Sequence, residues 1–173
     1  DDEFMMVNIP DDRETFSVNG NKMTPGISLS NSEVGLAALS ISAFVLRLVC
    51  TNGMISKTEV TASYRHISTK ILKEFPQVMA NINLGLGRQK DLFRLSLESP
   101  VTDPEATIGS FNRQFQLGKN EMEAVEWAFP LEFGKTMFHV VNVYTKAAQY
   151  KDLPAESGYK LQKVGGAILG MVR

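Results

Sequence analysis

The chain has 173 residues, 43% hydrophobic and 21% charged, the composition of one folded domain of ordinary size, which excludes a disordered segment. Its formal net charge of −1 points to no single class of partner. One cysteine excludes an internal disulfide framework and fits a reducing, cytoplasmic setting, in a bacterial, archaeal or phage-infected cell. No apolar run approaches the roughly 18 residues that a membrane span requires.

Residues 6–9 are predicted as a short strand, closed by Pro10-Asp11-Asp12. Residues 14–18 alternate and end at Asn19-Gly20-Asn21, a hairpin signal. Residues 27–33 alternate again, and Gly35 breaks or bulges that run. Residues 39–42 lead directly into the apolar run 44–50, which ends in Thr51-Asn52-Gly53. Phe44, Leu46, Leu48 and Cys50 share one face of it, and Val45, Arg47, Val49 and Thr51 the other. Near-continuous apolar content over about eight residues predicts a central strand covered on both faces. Asn52-Gly53 then predicts a sharp turn, since both residues tolerate positive φ. Residues 60–64 alternate once more as a late strand.

From Ser68 the period changes. Ile71, Leu72, Phe75, Val78, Met79, Ile82 and Leu86 recur at three and four, which predicts an amphipathic helix capped by Ser68 or Thr69. Pro76 is expected to kink or restart it, Gly85-Leu86-Gly87 to end it, and Leu92 and Leu95 to mark a shorter continuation. Asp103-Pro104-Glu105 begins a second helix, read as far as Gly118. Asn120-Glu121-Met122-Glu123 opens a third, which stops before Pro130. Met137 to Ala148 and Leu161 to Val172 carry two more helical patterns.

Strands first and helices second predict an α+β fold. A largely antiparallel β-meander over residues 5–66 is followed by five or so helices over 67–173, packed on one face of the sheet. The whole chain, 1–173, reads as a single domain. It begins at Asp1 without a methionine and stops at Arg173 directly after an apolar segment, which reads as a piece of a longer protein lacking its N-terminal part.

The small net charge hides segregation. Residues 57–94 hold seven bases against three acids, and residues 134–173 six against two. Residues 1–35 and 95–133 each hold seven acids against two bases. Basic blocks sharing a face would attract an anion such as nucleic acid, whereas opposed blocks would pair within the fold or between subunits. Arg65, Lys70, Lys73, Arg88 and Lys90 are the candidate phosphate contacts. Gly85 to Lys90 lacks the spacing of a phosphate-binding P-loop and reads as a helix-breaking loop.

Arg47 cannot sit buried between Val45 and Val49 without a partner. Either an acid pairs with it, Glu33 being the predicted one, or it faces a groove and binds an anion. With Asn31, Ser32, Asn52, His66 and Asn142 it forms a set of polar residues at strand ends and helix starts, which either stitch sheet to helices or line one pocket. Cys50 with His66 and Asn52 has the residue types of a thiol nucleophile, its base and an orienting amide. A cysteine in an apolar strand more often packs as a small hydrophobe. Two histidines and one cysteine are too few for a closed zinc site, so no metal or cofactor is expected. Trp127, Phe129 and Phe133, and Phe111 with Phe115, are read as core aromatics.

Four stretches lie in a telling order: Ser30 to Gly35, Arg47 to Gly53, Arg65-His66-Ile67 before a helix, and Asn142-Val143-Tyr144-Thr145 in a later helix. Together they resemble the phage- and plasmid-like proteins grouped as a domain of unknown function. Members carry an Asn-Ser segment, an Arg-x-Val-Cys-x-Asn strand, an Arg-His-Thr motif and an Asn-Ala-x-Thr motif. Ile67 replaces the usual threonine here, and Val143 the usual alanine. The resemblance spans about Ile27 to Ile168 and implies a mobile-element setting. It brings no activity with it. The family usually extends further towards the N-terminus.

The leading expectation is a non-enzymatic protein that handles single-stranded DNA, in analogy to phage annealing proteins, whose oligomers use a sheet backed by helices. The alternatives are a structural or protein-interaction domain and an enzyme centred on Cys50 and His66; a homo-oligomer suits the first two readings.

Overall fold

The sheet is built outward from one turn. In a computed structural model describing residues 4–32, 39–47, 52–55, 62–64 and 69–173, Asn19 and Gly20 take φ of 49° and 76°. These are the positive angles that a two-residue hairpin loop of the right twist requires. Val18 therefore pairs with Asn21, and β2 (Phe16–Val18) folds back on β3 (Asn21–Ser32). β1 (Phe4–Pro10) pairs with the farther half of β3, so β1 and β2 share one edge, separated by a 3-10 turn at Asp12–Glu14.

Pro25 accounts for that interruption. Its carbonyl accepts from the Asp11 amide at 2.7 Å. In a strand the N and C=O of one residue point to the same side, so the donor that proline lacks falls opposite the gap between β1 and β2. Gly26, beside it, is approached so closely by the Ile9 carbonyl that a Cβ would not fit.

β4 (Leu39–Arg47) runs antiparallel to β3, with Arg47 opposite Met23 and Ser40 opposite Ser30. β5 (Asn52–Ile55) and β6 (Ala62–Tyr64) share its other edge. Every described ladder is antiparallel. Phe44 and Val45, neighbours pointing to opposite faces, are both buried, as a central strand demands. The expected turn at Asn52-Gly53 is corrected. Asn52 already pairs with Arg47 and Gly53 with Leu46, so both belong to the strand that pairs with β4. The expectations for Glu33, Gly35, 48–51, 60–61 and Ser68 lie outside the described residues.

α1 (Thr69–Glu98) is one 30-residue helix. Pro76 lies inside it, and it runs through Gly85 and Gly87, where an end and a shorter continuation are predicted from the sequence. Proline inside a helix costs ~3 kcal/mol and glycine ~1 kcal/mol relative to alanine. Tertiary packing outweighs both: Gln89, Phe93 and Ser96, at spacings of four and three, form a buried inner stripe.

α2 (Pro104–Gln114) starts as predicted, with the Asp103 side chain accepting from the Ala106 amide at 2.9 Å. It ends before Gly118, because Gln116 takes φ 49° and the Leu117 amide reaches back to the Asn112 carbonyl at 3.0 Å, a Schellman closure. α3 (Lys119–Ala128) has Glu121 reaching back to the Gly118 amide. A 3-10 turn at Phe129–Leu131 follows, then α4 (Met137–Ala147) and α5 (Ala155–Leu169). Phe93, Phe138, Tyr144, Leu161 and Ile168 of these helices join Met23 and Val45 of the sheet in one core. The architecture is the α+β one read from the sequence, an antiparallel sheet followed by five α-helices among the described residues.

An added Cβ at Gly87 would meet no atom within 4 Å. Gly87→Ala is therefore expected to raise unfolding stability by roughly 0.5–1 kcal/mol in a urea titration; a loss would mean that the helix ends there. Gln89 is fully buried, and neither of its amide atoms has a hydrogen-bond partner among the described residues. Gln89→Met is expected to stabilise by about 1–3 kcal/mol in the same assay, because it removes that desolvation cost.

Candidate functional site

β4 sends Arg47 towards the helical layer, beside Val45. Among the described residues its partner is Glu132; the predicted Glu33 lies outside them. Nη1 donates to Glu132 Oε2 at 2.7 Å, and Nε donates to Asn21 Oδ1 at 3.0 Å. Only 13% of the Arg47 side chain and 7% of the Glu132 side chain remain exposed. The guanidinium also lies 5.9 Å from the centre of the Phe138 ring. Asn142 stands nearby, its Nδ2 donating to the Phe138 carbonyl at 2.8 Å, and Thr145 Oγ1 donates to the Asn142 carbonyl at 3.2 Å. The void that Arg47, Asn142 and Thr145 share with Met23 and Phe93 measures about 10 Å³, room for no more than a water molecule. Among the described residues Arg47 is thus a structural clasp, and the void beside it is no open groove.

The predicted polar set does not gather in one place. Arg47, Asn52 and Asn142 belong to one end of the sheet, where Arg47 pairs with Asn52. Asn31 and Ser32 pair with Met5 and Phe4 at the other end. Asn31 lies eight positions along β3 from Met23, which faces Arg47, a separation of about 27 Å at the rise of a strand. Cys50, Arg65 and His66 lie outside the described residues.

Glu132 has a consequence for its neighbours. Since it faces inward, Leu131 and Phe133 on either side are 56% and 59% exposed. The expectation of Phe133 as a core residue is corrected for this reason. It touches Phe129 edge-on at 5.7 Å. Trp127, also read as core, is exposed; it leans on Tyr150 at 5.5 Å and carries the Lys146 ammonium over its face. Phe111 and Phe115 are half-buried and pack against the core.

His139 lies in the same region, its Nδ1 2.9 Å from Thr136 Oγ1. Burial pushes the imidazole below its ordinary value of 6.5; Glu132 works against that shift and Arg47 adds to it. At the far side of the helical layer, Lys160 Nζ donates to Glu121 Oε2 at 2.8 Å and to the Gln116 carbonyl at 3.1 Å, tying α5 to the α2–α3 connection. Burial raises the Glu121 carboxyl, but the bonds from Lys160 and the Gly118 amide outweigh it and hold the group below the usual carboxylate value. This pair joins the acidic block 95–133 to the basic block 134–173 within one chain.

The basic block on α1 is arranged differently. Lys70 stands in its first turn. Lys73, Arg88 and Arg94 are exposed on the side opposite the buried stripe, with Asp91 and Glu98 among them. Arg94, one turn beyond Lys90, is absent from the sequence-based candidates, though that spacing could have found it. Lys90 is half-buried on the flank, with Nζ 5.8 Å from the centre of the Phe16 ring. There α1 and the turn before β2 enclose a cleft of about 700 Å³, lined by Asp11, Arg13, Glu14, Phe16, Gly87 and Lys90. Arg13 is engaged with Asp11, at 2.9 Å from Nε and 2.8 Å from Nη2. Among the described residues, no group of three or more His, Cys, Asp and Glu side chains could hold a metal ion, and no helix is long and apolar enough to cross a membrane.

No protein-family model, curated protein or solved structure matches this chain. The resemblance drawn from the four motifs stands on those residues alone.

Removing the Glu132 carboxylate leaves a buried guanidinium unpaired. Glu132→Ala is therefore expected to cost about 3–5 kcal/mol in urea unfolding, while Arg47→Met with Glu132→Leu stays near the parent stability or above it. His139 contributes a pH dependence of definite sign. Its folded-state value is lowered, so its contribution is complete above pH ~6.5 and is lost as pH falls from there through the lowered value. In His139→Gln that part of the acid slope should disappear from the melting temperature.

Proposed function

We propose that this is a non-enzymatic nucleic-acid-handling protein of a phage or plasmid, which holds a single strand along the outward side of α1. One observation carries the reading: among the described residues, Lys73, Lys90 and Arg94 of α1 take part in no ion pair, whereas Arg47 and Lys160 are held by Glu132 and Glu121. Lys73 and Arg94 are 21 positions apart on one helix, or about 32 Å at its rise per residue. A row of cations on a rigid rod suits phosphates spaced along a strand, and it reads charge without reading sequence. The motif resemblance supports a mobile-element setting. Asp91 lies within the row and Glu98 one turn beyond it, and both lower its affinity, which makes binding weak and salt-dependent. Lys70 belongs to the same helix, and Arg65 would precede it in the chain.

A protein-interaction domain is the second reading, favoured by the exposed Leu131 and Phe133. On that reading, light scattering detects self-association that Phe133→Ser abolishes, and single-stranded DNA has no affinity for the protein. The thiol-enzyme alternative rests on Cys50 and His66 alone, which lie outside the described residues.

Fluorescence anisotropy with a labelled single-stranded oligonucleotide at low salt tests the first reading. Binding is expected, with the salt slope falling by about one unit for each of Lys73→Gln and Arg94→Gln. Asp91→Asn should tighten it. Absence of binding at tens of micromolar protein, or indifference to all three changes, would sink the proposal.

A further inference from the structure

We propose that the cleft between α1 and the Asp12–Glu14 turn takes one phosphorylated nucleoside, its base against Phe16 and its phosphate at Lys90. The proposal rests on the nucleic-acid reading and names the unit that this site would hold. Gly87 is the first ground for it. This residue lies inside a helix, where glycine is a poor choice, and its φ is not positive. No atom lies within 4 Å of where its Cβ would be, so packing does not demand glycine either. What the missing side chain does is leave the helix wall of the cleft bare.

The remaining lining supplies the complementary chemistry. Phe16 packs on Phe93 at 6.3 Å between ring centres and presents the rest of its half-buried ring to the cleft. An aromatic face accepts any base by stacking. Lys90 Nζ lies over that ring, 5.8 Å from its centre, and takes part in no ion pair among the described residues, so its flexible side chain can swing aside from a stacking base to meet that nucleotide's phosphate. Arg13 is tied to Asp11, but its side chain is 87% exposed. So exposed a pair is weak in water, and a phosphate can compete for the guanidinium. The Glu14 carboxylate is an acceptor suited to the exocyclic amino group of cytosine. A volume of about 700 Å³ is in the range of small-molecule sites and leaves room for a strand to continue along α1.

A free nucleotide and a nucleotide within a strand share this chemistry, and a two-armed experiment separates them. In the first arm, deoxycytidine 5′-monophosphate is titrated into the ¹⁵N-labelled protein, with inorganic phosphate and deoxycytidine as controls. Shifts are expected at Phe16, Gly87 and Lys90 with the nucleotide, and binding about tenfold weaker with either half alone. Gly87→Leu should abolish the shifts, and Lys90→Gln should weaken binding about tenfold; circular dichroism confirms that each variant is folded. In the second arm, the same variants are titrated with the labelled oligonucleotide. If the oligonucleotide depends on Lys73 and Arg94 yet binds Gly87→Leu and Lys90→Gln unchanged, and the nucleotide gives no shifts, the cleft proposal is overturned and the strand reading survives. If the nucleotide binds in the cleft but no oligonucleotide binds, the cleft holds a free nucleotide and the strand reading falls. Silence in both arms removes both.

Discussion

One ion pair conditions the rest of the molecule. Arg47 in β4 places a permanent charge on the sheet face that meets the helices, and the fold must deliver a carboxylate to it. Glu132 arrives from the connection between the 3-10 turn and α4, and Asn21 from the start of β3. Inward placement of Glu132 then fixes its neighbours. In this short segment, a shift by one residue would bury Leu131 or Phe133 and expose the acid, a gain in apolar burial. It would also strand the guanidinium. The clasp therefore selects one packing over a more apolar competitor, the role that buried charges fill when they specify register.

Much of this architecture is legible in the sequence, and the exceptions share a cause. Asn19-Gly20 and Asp103-Pro104 announce their structures because the constraint is local: positive φ in one case, a side-chain cap in the other. The central position of β4 is legible because apolar residues fill both of its faces. Gly85 and Gly87 mislead because their local preference opposes a helix that packing of the Gln89, Phe93 and Ser96 stripe sustains. Asn52-Gly53 misleads because turn-forming residues also occupy strands when a partner strand pairs with them. The identity of Glu132 is not legible at all, since 85 positions separate it from Arg47 and no periodicity links them. In the same way, Asn31-Ser32 of β3 and Arg47 of the neighbouring β4 fall at opposite ends of the sheet, a matter of register alone.

The candidate site and the clasp are physically joined. Arg47 lies over Phe138, Phe138 meets Phe93 at 6.4 Å, Phe93 meets Phe16 at 6.3 Å, and Lys90 lies over Phe16. A row of three rings thus has a buried, paired cation at one end and a cation at a cleft at the other. The inner end is held by the carboxylate of Glu132 and the outer end borders solvent, so identical ring–cation contacts serve rigidity at one end and access at the other. Arg47 and Lys160 meet acids within the fold and tie elements together, whereas Lys73, Lys90 and Arg94 of α1 take part in no ion pair among the described residues.

The two-residue turn at Asn19-Gly20 also bears on how the chain reaches this state. A hairpin closed by two residues brings together segments that are never far apart in the unfolded chain, so β2 and β3 can associate on the microsecond scale of isolated hairpins. The Arg47–Glu132 contact closes a loop of 85 residues and gains nothing until α1, α2 and α3 have been laid between its ends. Nucleation and locking are therefore separated in time. The turn starts the sheet, whereas the clasp contributes chiefly to how slowly the finished molecule comes apart.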